Sequence, residues 1–180
     1  FDRTTVVDEN ICPNSEIEKN QKALDRYINS SKTKWQIGRD YELYCGYYYK
    51  RKGWDVTYFG IEKKLNDLGR DVIAQKNNER HVIQCKYWSK HKLIHEKHIL
   101  QTYGTTIVEE FENSDLFSKI TPVLMTNTNL SETATKFAKI LGVKVIKEDI
   151  GEFPRIKCNI NVDSNGVKTK IYHLPFDQQY

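Results

Sequence analysis

The sequence lacks long hydrophobic runs. Its longest uninterrupted apolar runs are only a few residues, so it contains no membrane span, which needs about 20 apolar residues. The polar stretch 1–20 has no apolar centre of the kind that a secretory signal peptide requires. We therefore expect a soluble cytoplasmic protein that does not bind a membrane.

Cysteines are also few. Four cysteines occur without a close pair, which excludes a disulfide framework and a CxxC zinc site and predicts free thiols: Cys12, Cys45, Cys85 and Cys158. No internal repeat or low-complexity tract is present. A hydrophobic content of 38% is too high for a disordered chain, so we expect a globular protein.

The 180 residues suffice for one main domain with a small appendage. We expect an N-terminal helical extension over 1–36, a main domain over 37–150 and a small β appendage over 151–180. Because the first residue is Phe1 and the patterning continues to Tyr180, we expect the chain to be a piece of a longer protein that continues after Tyr180.

Apolar spacing predicts the order of helices and strands. Helices are predicted over 16–29, 38–52, 93–111 and 131–141, and strands over 54–59, 71–75, 81–87, 120–126 and 143–146. The early strands form a meander, whereas the later β-α-β order favours parallel strands. A hairpin is predicted over 155–173. The predicted fold class is thus α/β, an α+β mixed sheet flanked by helices, with a small C-terminal β hairpin.

Basic residues are concentrated in one stretch. Residues 80–98 hold five lysines and arginines against one acid, which equals the whole net charge of +4, and four of the five histidines. Such a cluster is often a solvated helix face. It can equally line the approach of a nucleic-acid backbone, so both interpretations stay open at this point.

One end of the hairpin at 71–87 gathers a chemically distinctive set of residues. Asp71 opens the first strand and Gln84-Cys85-Lys86 closes the second, so antiparallel pairing brings them together. Gln84 and Lys86 project to one face, while the main-chain oxygen of Cys85 is available on the rim. Carboxylate, amide and main-chain oxygens suit Mg²⁺ or Mn²⁺ rather than zinc. With a lysine nearby, this is chemistry that phosphodiester hydrolysis requires.

Six segments in chain order carry a family resemblance. They are Gly38-Arg-Asp-Tyr-Glu42, Gly53-Trp-Asp-Val56, Asp67-Leu-Gly-Arg-Asp71-Val-Ile, Val82-Ile-Gln-Cys-Lys86-Tyr-Trp, Gln101-Thr-Tyr-Gly104 and the later β-α-β unit. On these residues the chain resembles the PD-(D/E)xK nuclease superfamily, and within it the Mrr-like restriction endonucleases, over about 38–146. A lone D…QxK pattern is weak, but six pieces in order make the match specific.

The resemblance implies a restriction-endonuclease-like core and a metal-dependent endonuclease that cuts double-stranded DNA, in restriction or other defence against foreign DNA. It implies that Asp71 is the metal-binding acid, that Gln84 stands where most of the superfamily has Glu or Asp, and that Lys86 is the catalytic lysine. Glu42 then completes the site, directly or through water. Expected metal ligands are Asp71, Gln84, Glu42 and the main-chain oxygen of Cys85, and the expected cofactor is Mg²⁺ with Mn²⁺ as a substitute.

Glutamine at position 84 removes one negative charge from the expected ligand set, so we expect a single metal ion. Alternatives stay open. Asp71 and Lys86 could form a cross-strand ion pair with Glu42 as surface charge, although Asp67, Gly69 and Gln84 would then be unexplained. The chain could also be a catalytically silent nucleic-acid-binding module of the same fold, or an interaction domain without a nucleic-acid role. Double-strand cleavage by a single-site nuclease would require a homodimer.

Further residues are predicted to contact nucleic acid. We expect the DNA backbone to approach along Lys90, His91, Lys92, Lys97 and Gln101, which would position DNA without reading its sequence. His91, His95 and His98 have helical spacing and could instead hold a transition metal, or be solvated. Gln101 could also serve only in helix capping and packing. The tyrosines of 41–49 favour core packing over base stacking.

Overall fold

The computed structural model describes residues 14–59, 69–112, 119–162, 164 and 166–173. Asp67 and most of the predicted turn region at 60–69 lie outside these residues, as do Asp163 and Asn165 of the predicted hairpin turn. The chain divides into two compact units. The larger one is Thr33–Glu152, and the other comprises Phe1–Lys32 and Phe153–Tyr180.

The larger unit is built on one five-stranded sheet in the order β1-β2-β3-β4-β5. The strands are β1 (Asp55–Thr57), β2 (Val72–Lys76), β3 (Glu79–Lys86), β4 (Lys119–Thr126) and β5 (Lys144–Lys147). The first three pair antiparallel, and β3, β4 and β5 pair parallel. The predicted mixed sheet, with its early meander and later parallel strands, is therefore confirmed.

Four helices lie in the described residues. They are α1 (Asn14–Asn29), which belongs to the smaller unit, α2 (Lys34–Lys50), α3 (Glu96–Glu112) and α4 (Glu132–Leu141). In the larger unit, α2 and α3 both pack against β3. None of the described helices combines the length and apolar character needed to cross a membrane.

The start of α2 corrects a prediction. Thr33 and Gln36 form a capping box, in which the Thr33 hydroxyl accepts from the Gln36 main-chain N–H and the Gln36 side chain accepts from the Thr33 N–H. The helix therefore begins at Lys34, four residues before the predicted start at Gly38. As a result, Glu42 lies more than two turns inside the helix, not one turn from its start.

The start of α3 corrects a second prediction. Ile94 forms an extended bridge with Leu130, because its N–H donates to Asn129 O and its carbonyl accepts from Ser131 N, each over 2.9 Å. The helix consequently begins at Glu96 and not at Leu93. His91 and His95 precede it, so the predicted alignment of His91, His95 and His98 on one helical face is wrong.

The β-α-β end of the unit encloses an apolar core. Ser131 caps the N-terminus of α4 through a bond to Ala134 N, and Gly142 ends the helix with a left-handed φ of 67°, as predicted for both residues. The buried apolar side chains beneath α3 and α4 are Ile94, Ile99, Leu124, Ala134, Ala138 and Val143. This core holds the carboxyl ends of β3 and β4 in place.

The smaller unit contains α1 and an antiparallel hairpin of β6 (Lys157–Val162) and β7 (Lys168–His173). Leu24 is its buried helix residue, in line with the predicted apolar face. The C-terminal hairpin that the sequence predicts is therefore present.

Candidate active site

The two faces of β3 meet different helices. His81 and Cys85 face α2, since the Tyr49 hydroxyl lies 2.9 Å from His81 Nδ1 and the free thiol of Cys85 lies beside that of Cys45. Gln84 and Arg80 face α3, where they contact Thr102 and Glu109. Alternation of side chains along a strand produces this division and places Lys86 on the α3 face with Gln84.

Asp71 lies beside the end of β3, where β2 stops pairing. The last pair of that register joins Val72 to Ile83. Asp71 N donates to Ile83 O over 3.1 Å, and the Asp71 carboxylate accepts from Cys85 N over 2.6 Å. Because the N–H and C=O of one strand residue point the same way, the Cys85 carbonyl also points to this edge. The structure thus brings Asp71 to the Gln84-Cys85-Lys86 segment.

A buried ion network anchors the residue before Asp71. Arg70 Nη1 lies 2.8 Å from Glu109 Oε2 and 2.8 Å from Glu112 Oε2, and Arg80 Nη1 lies 3.4 Å from Glu109 Oε1. Burial by itself lowers the pKa of Arg70, but the hydrogen bonds that its guanidinium donates to Glu112 and Glu109 outweigh this effect and raise the pKa. This network anchors Arg70, the residue immediately before Asp71, to α3.

Sequence reasoning missed the buried polar stripe on α3. His98, Thr102 and Glu109 follow a helical spacing of four and then seven residues, which places them on one face of the helix. Thr102 and Glu109 are 1% and 3% exposed. A polar stripe with this spacing was the available signal that α3 meets polar groups on the sheet.

Gln84 is held by that stripe. Its side chain is 1% exposed, and Thr102 Oγ1 lies 2.9 Å from Gln84 Oε1. Within the described part of the chain, Gln84 Nε2 is buried and has no hydrogen-bond partner. A Cβ placed on Gly69, whose φ is +83°, would come within 2.9 Å of Gln84 Nε2 and 2.7 Å of Gln101 Nε2. The glycine therefore leaves room beside the amide end of Gln84.

Lys86 is half-buried and lies near His98 of α3. Burial, followed by the positive charges of Lys86 and Lys97, lowers the pKa of His98, so its imidazole is neutral at pH 7. The ring packs edge-on against Trp88 with centroids 4.9 Å apart. Among the described residues neither ring nitrogen of His98 has a hydrogen-bond partner, although both are buried.

Glu42 approaches from the α2 side. Cys45 and Cys85 are both buried free thiols, which confirms that prediction for these two; the side chains of Cys12 and Cys158 lie outside the described residues. Burial raises the pKa of Cys85 most, followed by Cys45 and then by the carboxylates of Asp71 and Glu42. Both carboxylates are therefore close enough to Cys85 to raise the pKa of its thiol.

The predicted nucleic-acid contacts are at the surface. Their side chains are all exposed: Lys90, His91, Lys92, Lys97 and Gln101. Lys90 Nζ lies 3.6 Å from Asp149 Oδ2, in a pair whose side chains are 77% and 51% exposed. A polar cavity of about 400 Å³ adjoins Lys90 at the carboxyl ends of β4 and β5, lined by Lys90, Asn127, Thr128, Asn129, Lys147, Glu148 and Asp149.

The donor atoms at the end of β3 fit a hard divalent cation. They are a carboxylate of Asp71, the amide of Gln84 with one end unpaired, and the main-chain oxygen of Cys85, with Glu42 on the other face. Among the described residues, no group of three or more His, Cys, Asp or Glu side chains is arranged to hold a metal ion by itself. Oxygen donors of mixed type suit Mg²⁺ or Mn²⁺, whereas a zinc site would use His and Cys.

Comparisons with known proteins identify the family of this chain. The sequence model of the restriction endonuclease family Mrr_cat matches residues 34–150. An uncharacterized protein of Archaeoglobus fulgidus is 31% identical over 94 residues, which cover 48% of this chain and 51% of that protein, so the chain spans about half its length. The crystal structure of a protein of unknown function, AF1548, has a TM-score of 0.45 and 22% identity over 61% of this chain and 56% of the other. Because the family match covers well over half of the sequence, the chain belongs to the Mrr_cat family of restriction endonucleases, whose restriction-endonuclease-like fold the sequence resemblance predicted.

Proposed function

We propose that the protein is a Mg²⁺-dependent endonuclease that hydrolyses phosphodiester bonds in double-stranded DNA, in restriction or other defence against foreign DNA. One observation carries the proposal: the 2.6 Å hydrogen bond between the Asp71 carboxylate and Cys85 N, which fixes an acid beside Gln84 and Lys86. Membership of a restriction endonuclease family supports DNA as the substrate.

Each residue has a role in this proposal. Asp71, Gln84 and the main-chain oxygen of Cys85 hold Mg²⁺, and Glu42 completes the set directly or through water. Mg²⁺, when bound, neutralises the phosphate and acidifies the attacking water. In the hydrolysis, a bond forms between the water oxygen and phosphorus, and the bond from phosphorus to a sugar oxygen breaks. Lys86 stabilises the negative charge that builds up on the phosphate oxygens.

Lys86 is suited to this role by its surroundings. No ion pair involves Lys86 among the described residues, and His98, which lies near it, is neutral at pH 7. The ammonium charge is thus available to a phosphate. Since Lys86 is half-buried, its attraction to that phosphate is screened less than it would be at the open surface.

The exposed basic residues support a DNA path next to Lys86. Lys90, Lys92 and Lys97 carry positive charge at the surface, and the Lys90–Asp149 pair is exposed enough to contribute little to stability. A phosphate can therefore replace Asp149 as the partner of Lys90 at small cost. Cleavage of both strands needs two active sites, so the proposal includes a homodimer on DNA.

The test is cleavage of supercoiled plasmid by the purified chain in Mg²⁺, Mn²⁺ or EDTA. Asp71→Asn removes the charge but keeps an oxygen that accepts from Cys85 N, so the fold is retained. Asp55→Asn, at an exposed carboxylate on β1, is the matched control. We expect metal-dependent cleavage that Asp71→Asn lowers on the order of 10²–10³-fold and Asp55→Asn leaves unchanged.

Cleavage that persists in EDTA or in Asp71→Asn would contradict the proposal. Absence of cleavage together with salt-dependent retention of DNA in a gel shift would favour the catalytically silent binding module instead. Absence of both would favour an interaction domain without a nucleic-acid role.

A further inference from the structure

A buried hydroxyl of α3 touches two oxygens at once. Thr102 Oγ1 lies 2.9 Å from Gln84 Oε1 and 2.8 Å from the main-chain oxygen of His98. Thr102 and Gln84 are each 1% exposed. A threonine hydroxyl carries one proton, so it can donate to only one of these two acceptors at a time.

The other end of the Gln84 amide is unpaired. Among the described residues Nε2 has no acceptor and is buried, and leaving such a donor unpaired is unfavourable. A half-turn of the amide exchanges its oxygen and nitrogen without moving any other atom. In the turned amide, Nε2 donates to Thr102 Oγ1, and the threonine proton goes to His98 O. The unpaired position is then occupied by Oε1, an acceptor.

That position lies at the Asp71 end of the site. The unpaired end of Gln84 is 2.9 Å from where a Cβ of Gly69 would stand, and Gly69 is two residues before Asp71. An amide oxygen at that position is a ligand type that Mg²⁺ and Mn²⁺ accept. The arrangement is therefore favourable when a cation is bound.

We infer that Thr102 is a positioning residue, whose hydroxyl holds the Gln84 amide with its oxygen directed toward the candidate metal site. The inference rests on the proposed function. A glutamate has two equivalent acceptor oxygens and needs no such orientation, whereas a glutamine has one. Thr102 thus allows a glutamine to act as a metal ligand at position 84.

The experiment is Mn²⁺ binding to the full chain without DNA, measured from the electron paramagnetic resonance signal of free Mn²⁺. Thr102→Val keeps the side-chain shape and removes the hydroxyl. We expect it to weaken Mn²⁺ binding roughly 10–100-fold, the usual effect of losing a group that orients a ligand. Thr102→Ser retains the hydroxyl and should restore the wild-type affinity.

Thr106→Val is the matched control. Thr106 is 2% exposed, lies one turn further along α3, and its hydroxyl donates to Thr102 O over 2.8 Å. Its replacement removes a buried hydroxyl from the same helix without touching Gln84. We expect the Mn²⁺ affinity of Thr106→Val to equal that of the wild type.

A second background separates orientation from general stability. In a Gln84→Glu chain, Thr102→Val should leave Mn²⁺ affinity unchanged, because either carboxylate oxygen can face the metal. An equal loss in both backgrounds would overturn the inference, as would an unchanged affinity of Thr102→Val in the natural background. If Thr102→Val does not fold, as judged by circular dichroism, Thr102→Ala takes its place in the same comparison. Failure of the wild type itself to bind Mn²⁺ would overturn the proposed function as well.

Discussion

Polar side chains on the two faces of β3 differ in whether they have hydrogen-bond partners. Toward α2, the Tyr49 hydroxyl forms a hydrogen bond with His81, and the free thiols of Cys45 and Cys85 lie side by side. The Tyr41 hydroxyl of the same helix donates to Glu148 O over 2.9 Å. Toward α3, near the carboxyl end of the strand, Gln84 Nε2 and both ring nitrogens of His98 are buried without partners in the described part of the chain.

This contrast separates structural polar groups from functional ones. Buried polar atoms are nearly always paired in folded proteins, because an unpaired one is costly. A concentration of unpaired atoms next to Lys86 is therefore unfavourable for stability and is expected where a ligand completes the pairing. The paired groups on the α2 face serve stability, whereas the unpaired groups at the carboxyl end of the α3 face, together with Asp71 and Glu42, serve the proposed function.

The two ends of the α3 face also differ, because the end away from Lys86 holds the ion pairs of Glu109. Glu109 neutralises Arg70 and Arg80 while 3% exposed. We expect Glu109→Gln to lower the free energy of unfolding by about 3–5 kcal/mol, because it removes the buried carboxylate that Arg70 and Arg80 share and leaves Arg70 only the half-exposed Glu112. Urea denaturation measures this loss.

Glu112→Gln is the control for that variant. The Glu112 side chain also contacts Arg70 but is 50% exposed, so its loss should cost no more than about 1 kcal/mol. Equal losses in the two variants would show that burial does not determine the strength of this network.

A pH titration tests the α2 face. Burial first, and then the charge of Lys144, lowers the pKa of His81 from 6.5 to about 4. Between these values the unfolded chain binds more protons than the folded one, so stability falls as pH decreases from 6.5 to 4. We expect this residue to contribute about 3 kcal/mol to that loss.

Urea unfolding between pH 7 and pH 4 measures the loss, with His81→Gln as the non-titrating control. The slope of unfolding free energy against pH should be smaller in the variant. An identical slope would show that His81 does not carry the effect.

A smaller effect is expected from the hydroxyl that contacts His81. Tyr49→Phe removes the 2.9 Å hydrogen bond to His81 Nδ1 and should cost about 0.5–1.5 kcal/mol of stability. Plasmid cleavage per folded molecule should be unchanged, since the α2 face is structural here. A large loss of cleavage at full stability would contradict the division between the two faces.

The smallest effects are expected at the exposed lysines. If Lys90 and Lys97 each neutralise one phosphate, their replacement by Ala should each reduce the salt dependence of DNA binding by about 0.9 in the logarithmic slope. Lys139→Ala, at an exposed lysine in the last turn of α4, is the control. Fluorescence anisotropy at several salt concentrations distinguishes them, and equal slopes in all three variants would exclude the proposed DNA path.

Local signals allowed much of the fold to be predicted. The Ser131 cap and Gly142 bounded α4 correctly, because both act within a few residues of the helix ends. The β-α-β order predicted the parallel strands for the same reason. The sequence also predicted that Asp71 meets the Gln84-Cys85-Lys86 segment, since a hairpin brings its own ends together.

Other features depend on contacts that a local pattern does not contain. The bridge between Ile94 and Leu130 moves the start of α3 to Glu96, and it joins residues that are far apart in sequence. The same is true of Thr102 with Gln84, and of Arg70 with Glu109, which are 18 and 39 residues apart. The capping box at Thr33 is different, because it is a local signal and identifies the helix start four residues before Gly38.

The most direct test is to compare Lys86→Met with Lys119→Met in metal-dependent plasmid cleavage and in urea unfolding. Lys119 is exposed and lies at the opposite end of the β3–β4 ladder, where it pairs with Glu79, whereas Lys86 pairs with Thr126. We expect Lys86→Met to lower the cleavage rate on the order of 10²–10³-fold at wild-type stability, and Lys119→Met to retain both properties. Wild-type cleavage by Lys86→Met would contradict the assignment of the α3 face to catalysis.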